Sequence, residues 1–358
     1  MSSVFHQLAI VEVLKETEHA ITVRFAVPSD LSDQFEFEPG QHLTLRAMID
    51  GDDVRRNYSI CSAPQDNELR IAIKRMNGGK FSNWANDNLV AGISVEALAP
   101  AGAFTCAFDS ARKAHYAMFA SGSGITPIMS LLRSGLEGEQ SSKFSLFYGN
   151  RDVSSILFLE ELAQLKNRYM DRLAVHHFLS REDDEFVLLN GRIDMQKAAA
   201  IIEHFLPIDA IDAAFICGPE AMMEAVETVL KSAGLDQKLI KTERFGAGEL
   251  TAERRAIVER LEEAAAGKPI RITVNGKTRT VRYDPKLETI LENSRAAGLP
   301  APFACKAGVC ATCRARVIKG EVEMIRHFAL SQDEIERGYI LTCQAIPISD
   351  NVEIDFDA

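Results

Sequence analysis

Four cysteines near the carboxyl end constrain this chain more than any other feature. In "PFACKAGVCATC" the thiols of Cys305, Cys310 and Cys313 follow a C-x4-C-x2-C spacing, and Cys343 follows in "GYILTCQAIP". Structural zinc asks for two short knuckles or for added histidines. Here a single C-x2-C is present, and the nearby His327 has no matching partner. A disulfide framework is equally poorly served, because the chain has seven cysteines and Cys61, Cys106 and Cys217 are scattered. The spacing of all four is that of a two-iron cluster held by thiolates. Ala307, Gly308, Ala311 and Thr312, which lie between the ligands, are small enough for backbone N–H groups to approach cluster sulfurs.

A cluster loop needs a scaffold, and the rest of the chain divides by rhythm. Residues 1–110 hold short alternating segments, among them "HQLAIVEVLKET", "HLTLRAMI" and "ELRIAIKRM", punctuated by Pro39-Gly40, Asp50-Gly51 and Gly78-Gly79. That pattern predicts a small antiparallel β-barrel. Over residues 111–245 apolar strands alternate with helical segments, as in "AHYAMFA" before "PIMSLLRSGL" and "AAFICGP" before "EAMMEAVETVLKSAG". Repeated βα units predict a parallel sheet with ligands at the carboxyl ends of its strands. Residues 246–268, rich in Ala, Glu and Arg, are expected to form a partly helical linker. Residues 269–358 read as a separate α+β unit that opens on a hairpin around Asn275-Gly276. The expected architecture is multidomain.

Charge narrows the partners. The chain has 40 Lys plus Arg against 51 Asp plus Glu, a net charge of -11. Binding of nucleic acid through a basic face is not expected. Residues 269–358 hold 12 of each sign, so the whole acidic excess lies in residues 1–268. The opening "MSSVFHQLAI" lacks the basic start and apolar core of a secretory signal, and no apolar run reaches the ~18 residues that span a bilayer. A cytoplasmic protein without membrane attachment is expected.

Four further motifs carry chemistry. "RRNYSIC" sets Arg56, Tyr58 and Ser59 at the end of a predicted strand. An Arg can pair with a diphosphate, a Tyr can lie against an isoalloxazine, and a Ser hydroxyl can reach a flavin nitrogen. "MNGGKFSNW" adds Gly79 and Ser82 as a phosphate-binding turn. "ASGSGITPIMS" places Gly122, Gly124 and Thr126 between a strand and a helix, where close-approach glycines and a helix N-terminus can receive a diphosphate. "FICGPEAMM" puts Cys217 and Gly218 at another strand-to-helix turn.

In this order, the motifs over residues 1–245 resemble the ferredoxin-NADP reductase superfamily, and residues 269–358 resemble plant-type [2Fe-2S] ferredoxins, whose fold is a β-grasp. The resemblance implies FAD, with FMN the less expected flavin, and NAD(P)H delivering hydride to it. It implies that Arg56, Tyr58, Ser59, Gly79 and Ser82 hold the flavin, with Ser59 and Cys217 at the reacting centre. Gly122, Gly124, Thr126 and Gly218 would line the nicotinamide path, and Phe245 of "TERF" would cover the flavin ring. Arg151 of "YGNRD" and the Ser180-Arg181 pair of "FLSRED" resemble the cationic groups of NADPH-using relatives, while Asp152 keeps NADH open.

The complete domain order is similar to that of the reductases of bacterial phenylacetyl-CoA epoxidases, through "FEPGQHLTLRA", "GGKFSNWA", "SGSGITPIMS" and the ending "VEIDFDA". That resemblance implies a di-iron oxygenase component as electron acceptor, in phenylacetate degradation. The same order occurs in reductases that serve Rieske-type aromatic and steroid hydroxylases. A redox sensor with an inert cluster would have no use for a hydride donor, and the eight histidines form no oxygenase iron site.

Overall fold

The computed structural model describes residues 4–182, 185–246 and 250–358 and divides into two compact units, Ser2–Glu243 and Arg244–Ala358. The first begins with β1 (His6–Thr17), β2 (Ala20–Ala26), β3 (His42–Ile49), β4 (Asp52–Ser59), β5 (Leu69–Lys74) and β6 (Ser94–Ala97). These pair antiparallel in the order β4-β3-β6-β1-β2-β5. Just past β4, Ile60 pairs with Ile71 of β5, so the two outer strands meet and the sheet closes into a barrel. Alternation sends Leu43 and Leu45 of β3 and Ile71 and Ile73 of β5 into its core, all fully buried.

The turn at Gly78-Gly79 does more than the strand pattern suggests, because it opens the helix α1 (Lys80–Asn88). Phe81 and Ala85, one turn apart, are buried in the barrel core together with Leu89 just beyond the helix.

The same unit continues with a parallel sheet. Its strands are β7 (His115–Ser121), β8 (Lys143–Asn150), β9 (Leu173–Leu179), β10 (Ala213–Cys217) and β11 (Ile240–Glu243). The helices α2 (Ile125–Gly138), α3 (Leu159–Arg168), α4 (Met195–Phe205) and α5 (Glu220–Ser232) connect them. The strand order is β11-β10-β7-β8-β9, all parallel. The chain leaves β7 toward β8 on one side and later returns to β10 on the other. The order therefore reverses between β7 and β10, and a crevice opens at their carboxyl ends.

The second unit contains α6 (Ala252–Ala265), β12 (Pro269–Val274), β13 (Lys277–Arg282), α7 (Ile290–Ala296), β14 (Arg314–Lys319), β15 (Val322–Met324), α8 (Gln332–Glu336), β16 (Tyr339–Leu341), β17 (Ala345–Pro347) and β18 (Val352–Asp355). One sheet runs β13-β12-β18-β14-β16 with β12 and β18 parallel, and β15 and β17 form a small second sheet. Asn275 and Gly276 both take positive φ, 50° and 69°, as a two-residue hairpin turn requires. Helix α6, from the segment expected as linker, buries Val258 and Ala265 in this unit's core. Burial of a side chain the size of Val258 contributes about 2 kcal/mol, so α6 is a structural element of the unit. Residues 247–249 of that segment lie outside the described residues. Among the described residues no helix is long and apolar enough to cross a membrane.

Candidate redox site

The flavin motif lies at the end of β4, where the barrel closes. Ser59 is 2% exposed, and its Oγ has no hydrogen-bond partner among the described residues. A buried hydroxyl left unpaired is costly, and a flavin ring nitrogen is the kind of group that would satisfy it. Tyr58 is half-buried, with its ring 5.6 Å from Phe81 of α1, and burial pushes its hydroxyl pKa up. Arg56 is exposed, and its Nη1 donates to the Arg55 carbonyl at 2.7 Å. These three are strand neighbours, with the orphaned oxygen inside and the guanidinium outside. That arrangement suits a ring-and-diphosphate ligand.

Gly79 and Ser82 sit at the start of α1. A Cβ on Gly79 would meet Ser82 Oγ at 2.5 Å. The Ser82 hydroxyl accepts from Met76 N–H at 3.1 Å and donates to the Gly79 carbonyl at 3.3 Å, so it is committed within the turn. The groups left to face a phosphate there are the first backbone N–H groups of α1.

The nicotinamide motifs, 93 residues apart in sequence, meet in the crevice. Gly122 and Gly124 follow β7, while Cys217 ends its neighbour β10 and Gly218 follows it. A Cβ on Gly124 would lie 2.1 Å from the Cys217 carbonyl oxygen and 2.9 Å from Gly218 N, so only glycine allows the two turns to touch. Thr126 is buried and donates through Oγ1 to the Ser123 carbonyl at 3.0 Å, which holds the turn closed. Cys217 is fully buried, and burial raises its thiol pKa well above the ordinary range. It is a neutral thiol. At the ends of β8 and β9, Arg181 N–H donates to the Arg151 carbonyl at 2.8 Å and Ser180 N–H to the Asn150 carbonyl at 3.0 Å. Both Arg side chains are exposed and are presented by one hydrogen-bonded edge.

The motifs did not point to Lys74, the last residue of β5. Its Nζ lies 3.7 Å from where a Gly122 Cβ would be, and burial followed by the Arg151 charge lowers its pKa. The stretch "IAIKR" shows a strand and gives no sign that its lysine reaches a turn far along the chain. Phe245 is 43% exposed just past β11 and belongs to the second unit.

In that unit the four cysteines fall into two pairs, Cys305 with Cys310 and Cys313 with Cys343. The hydrogen bond from Cys305 lowers the Cys310 thiol, and Cys343 lowers Cys313 in the same way. Ala307 N–H donates to Cys305 Sγ at 3.3 Å and Cys305 N–H to Cys310 Sγ at 3.5 Å. The same thiol–thiol hydrogen bonds, followed by burial, raise the pKa of Cys305 and Cys343, and the N–H groups of Val309 and Gly308 offset that only in part, while Thr312 N–H adds to the lowering of Cys310. Lys306 and Ala311 take left-handed backbone (φ 54° and 53°), a conformation costly for non-glycine residues and typical of ligand-holding loops. Two thiol pairs in a cradle of N–H donors fit a [2Fe-2S] cluster, with two ligands for each iron.

Electron counting says what such a set can do. A bound flavin takes a hydride, two electrons at once, and a [2Fe-2S] cluster passes electrons on singly. The class is a nicotinamide-dependent flavoprotein reductase with its own iron–sulfur carrier. Comparison with known proteins agrees: residues 7–106 match the oxidoreductase FAD-binding domain, 118–228 the oxidoreductase NAD-binding domain and 272–347 the 2Fe-2S iron-sulfur cluster binding domain. The chain is 39% identical over 99% of its length to a subunit of the 1,2-phenylacetyl-CoA epoxidase of Escherichia coli K12, covering 98% of that protein. It is 34% identical over 98% of its length to the ferredoxin reductase component of 3-ketosteroid-9-alpha-monooxygenase from Rhodococcus rhodochrous, covering 96% of it. Phthalate dioxygenase reductase superposes with a TM-score of 0.61 at 25% identity, with 98% of each chain covered. The chain belongs to this family of modular reductase components of multicomponent oxygenases. It carries FAD, one [2Fe-2S] cluster and a pyridine-nucleotide site, and passes electrons from NAD(P)H to an oxygenase component.

Proposed function

We propose that the chain is the reductase of a phenylacetyl-CoA epoxidase and delivers electrons one at a time to a di-iron oxygenase component in the cytoplasm. The observation that carries this is the 39% identity to the Escherichia coli epoxidase protein, which runs through all three domains. Within the chain, Arg56 takes the flavin diphosphate, Tyr58 lies against the ring and Ser59 hydrogen-bonds its nitrogen edge, while the turn at Gly79 and Ser82 offers backbone N–H groups to phosphate. Gly122, Gly124, Thr126 and Gly218 shape the nicotinamide path, and Cys217 faces the reacting ring.

NADPH is the proposed donor, with Arg151, Ser180 and Arg181 at the 2'-phosphate. Their support is the shared edge formed by Arg181 N–H and the Arg151 carbonyl. The Arg181→Ala variant should raise KM for NADPH at least ten-fold while moving KM for NADH less than two-fold. An unchanged ratio removes this residue from cofactor selection.

A second reading, reductase of a Rieske-type steroid or aromatic hydroxylase, is favoured by the 34% identity to the ketosteroid monooxygenase component. Reconstitution decides between them. The NADPH-reduced chain is supplied in turn to a phenylacetyl-CoA epoxidase oxygenase and to a ketosteroid hydroxylase, and product formation is followed. Turnover with the steroid enzyme alone would refute the epoxidase assignment.

A further inference from the structure

The nicotinamide turn and the flavin motif are carried by different halves of the first unit, and the distance between them decides whether hydride can move. Four charged side chains join the halves close behind the site. Asp66, in the β4–β5 connection that follows Ser59, accepts two hydrogen bonds from Arg133 of α2, both at 3.0 Å. Arg133 also reaches Glu161 of α3 at 3.3 Å. Glu161 receives Arg70 of β5 through two further bonds, at 2.7 and 2.9 Å. Bidentate guanidinium–carboxylate pairs fix orientation as well as distance.

The backbone ties each end of this set to the site. The Arg70 carbonyl accepts the Cys61 N–H at 2.8 Å, two residues beyond Ser59. Asp66 accepts the Ala63 N–H at 2.8 Å through Oδ2. Arg133 lies on the helix whose first turn follows Gly122 and Gly124. A second contact lies along the same helix, where Gly40 N–H donates to the buried Ser130 Oγ at 3.3 Å. On α3, Phe158 precedes Glu161 in left-handed backbone (φ 58°), with its N–H donated at 2.7 Å to Glu16 of β1. Strained backbone of this kind persists only where its surroundings hold it. Side chains 13–26% exposed are also far better shielded than ordinary surface pairs.

We propose that Asp66, Arg133, Glu161 and Arg70 act together as positioning residues that set the register between the nicotinamide turn and the flavin motif, and so the rate of hydride transfer. This rests on Ser59 and Gly124 marking the two sides of the redox site. None of the four touches substrate; they act through α2 and the β4–β5 connection.

The test uses the full, FAD-loaded chain. Arg133→Met leaves Asp66 with its Ala63 N–H and Glu161 with Arg70, so no buried carboxylate is stranded. Flavin reduction at saturating NADPH should slow about ten-fold, with nucleotide Kd within two-fold of native and weaker long-wavelength charge-transfer absorbance. Asp66→Asn should do the same, and the double variant should be no slower than the slower single one. Arg133→Lys should recover most of the rate. If Arg133→Met fails to fold, Arg133→Lys and Asp66→Asn are read against each other in the same assays. Native reduction rates and charge-transfer absorbance in folded variants would overturn the proposal, as would additive losses that follow thermal stability alone. Gly124→Ala separates the premise from the inference. If it leaves Kd and flavin reduction native, the site assignment fails and the proposal with it. If it impairs them while Arg133→Met does not, the network alone is refuted.

Discussion

Ser59 and Cys217 are both fully buried and uncharged, which suits a site that moves a hydride without moving a proton from solvent. Residues buried elsewhere in the barrel carry a cost that pH can reveal. His42 accepts at Nε2 from Asn57 Nδ2 at 3.1 Å, and its Nδ1 lies 3.8 Å from Glu243 with no hydrogen bond among the described residues. Burial lowers its pKa to about 4. An unfolded chain takes up that proton near 6.5. Between those values the unfolded state therefore binds more protons, and stability falls on acidification by on the order of 1 kcal/mol per pH unit. Above pH 6.5 the residue adds no slope. Urea midpoints of His42→Gln should lose this pH dependence; an unchanged slope would place the titration elsewhere. For the cluster, Cys310→Ser should lower cytochrome c reduction at least ten-fold and leave NADPH–ferricyanide reduction within two-fold of native. Equal loss of both would show that electrons do not leave through the cysteine loop.

The elements were legible where periodicity was strong. The six barrel strands, the βα alternation and the Asn275-Gly276 hairpin could all be read from residue order. Helix α1 was hidden because "KFSNWANDN" has a low apolar content and follows a glycine pair that reads as a turn. Helix α6 was visible as helix, but its sparse apolar residues gave no sign that Val258 and Ala265 close the core of the cysteine-bearing unit. The meeting of the two nicotinamide turns is decided at this scale, since β7 and β10 are neighbours only once the strand order reverses between them. Gly124→Ala tests it: with a Cβ 2.1 Å from the Cys217 carbonyl oxygen, the turns must separate. Nucleotide affinity and flavin reduction by NADPH should each fall at least ten-fold, while FAD content and reduction by dithionite remain native. Undiminished NADPH reduction would show that the contact is dispensable.

Across the whole molecule, one chain holds an acidic reductase and a charge-neutral electron carrier. A linked carrier experiences an effective concentration set by its tether, so transfer from flavin to cluster is expected to be unimolecular. Cluster bleaching after NADPH reduction should keep the same rate over a hundred-fold dilution of protein. A rate proportional to concentration would mean that transfer occurs between molecules. Ligand spacing, motif order and hydrophobic rhythm are properties of residue order, so the sequence by itself carried the four-cysteine spacing, the multidomain plan and the cofactor set. Tertiary structure alone decided what depends on distance between remote residues. It paired the thiols two by two, left the Ser59 hydroxyl buried without a partner among the described residues, brought Gly124 against Cys217 and linked Arg70, Glu161, Arg133 and Asp66. Those contacts follow from barrel closure and strand order, which packing settles across the whole fold and no local pattern encodes.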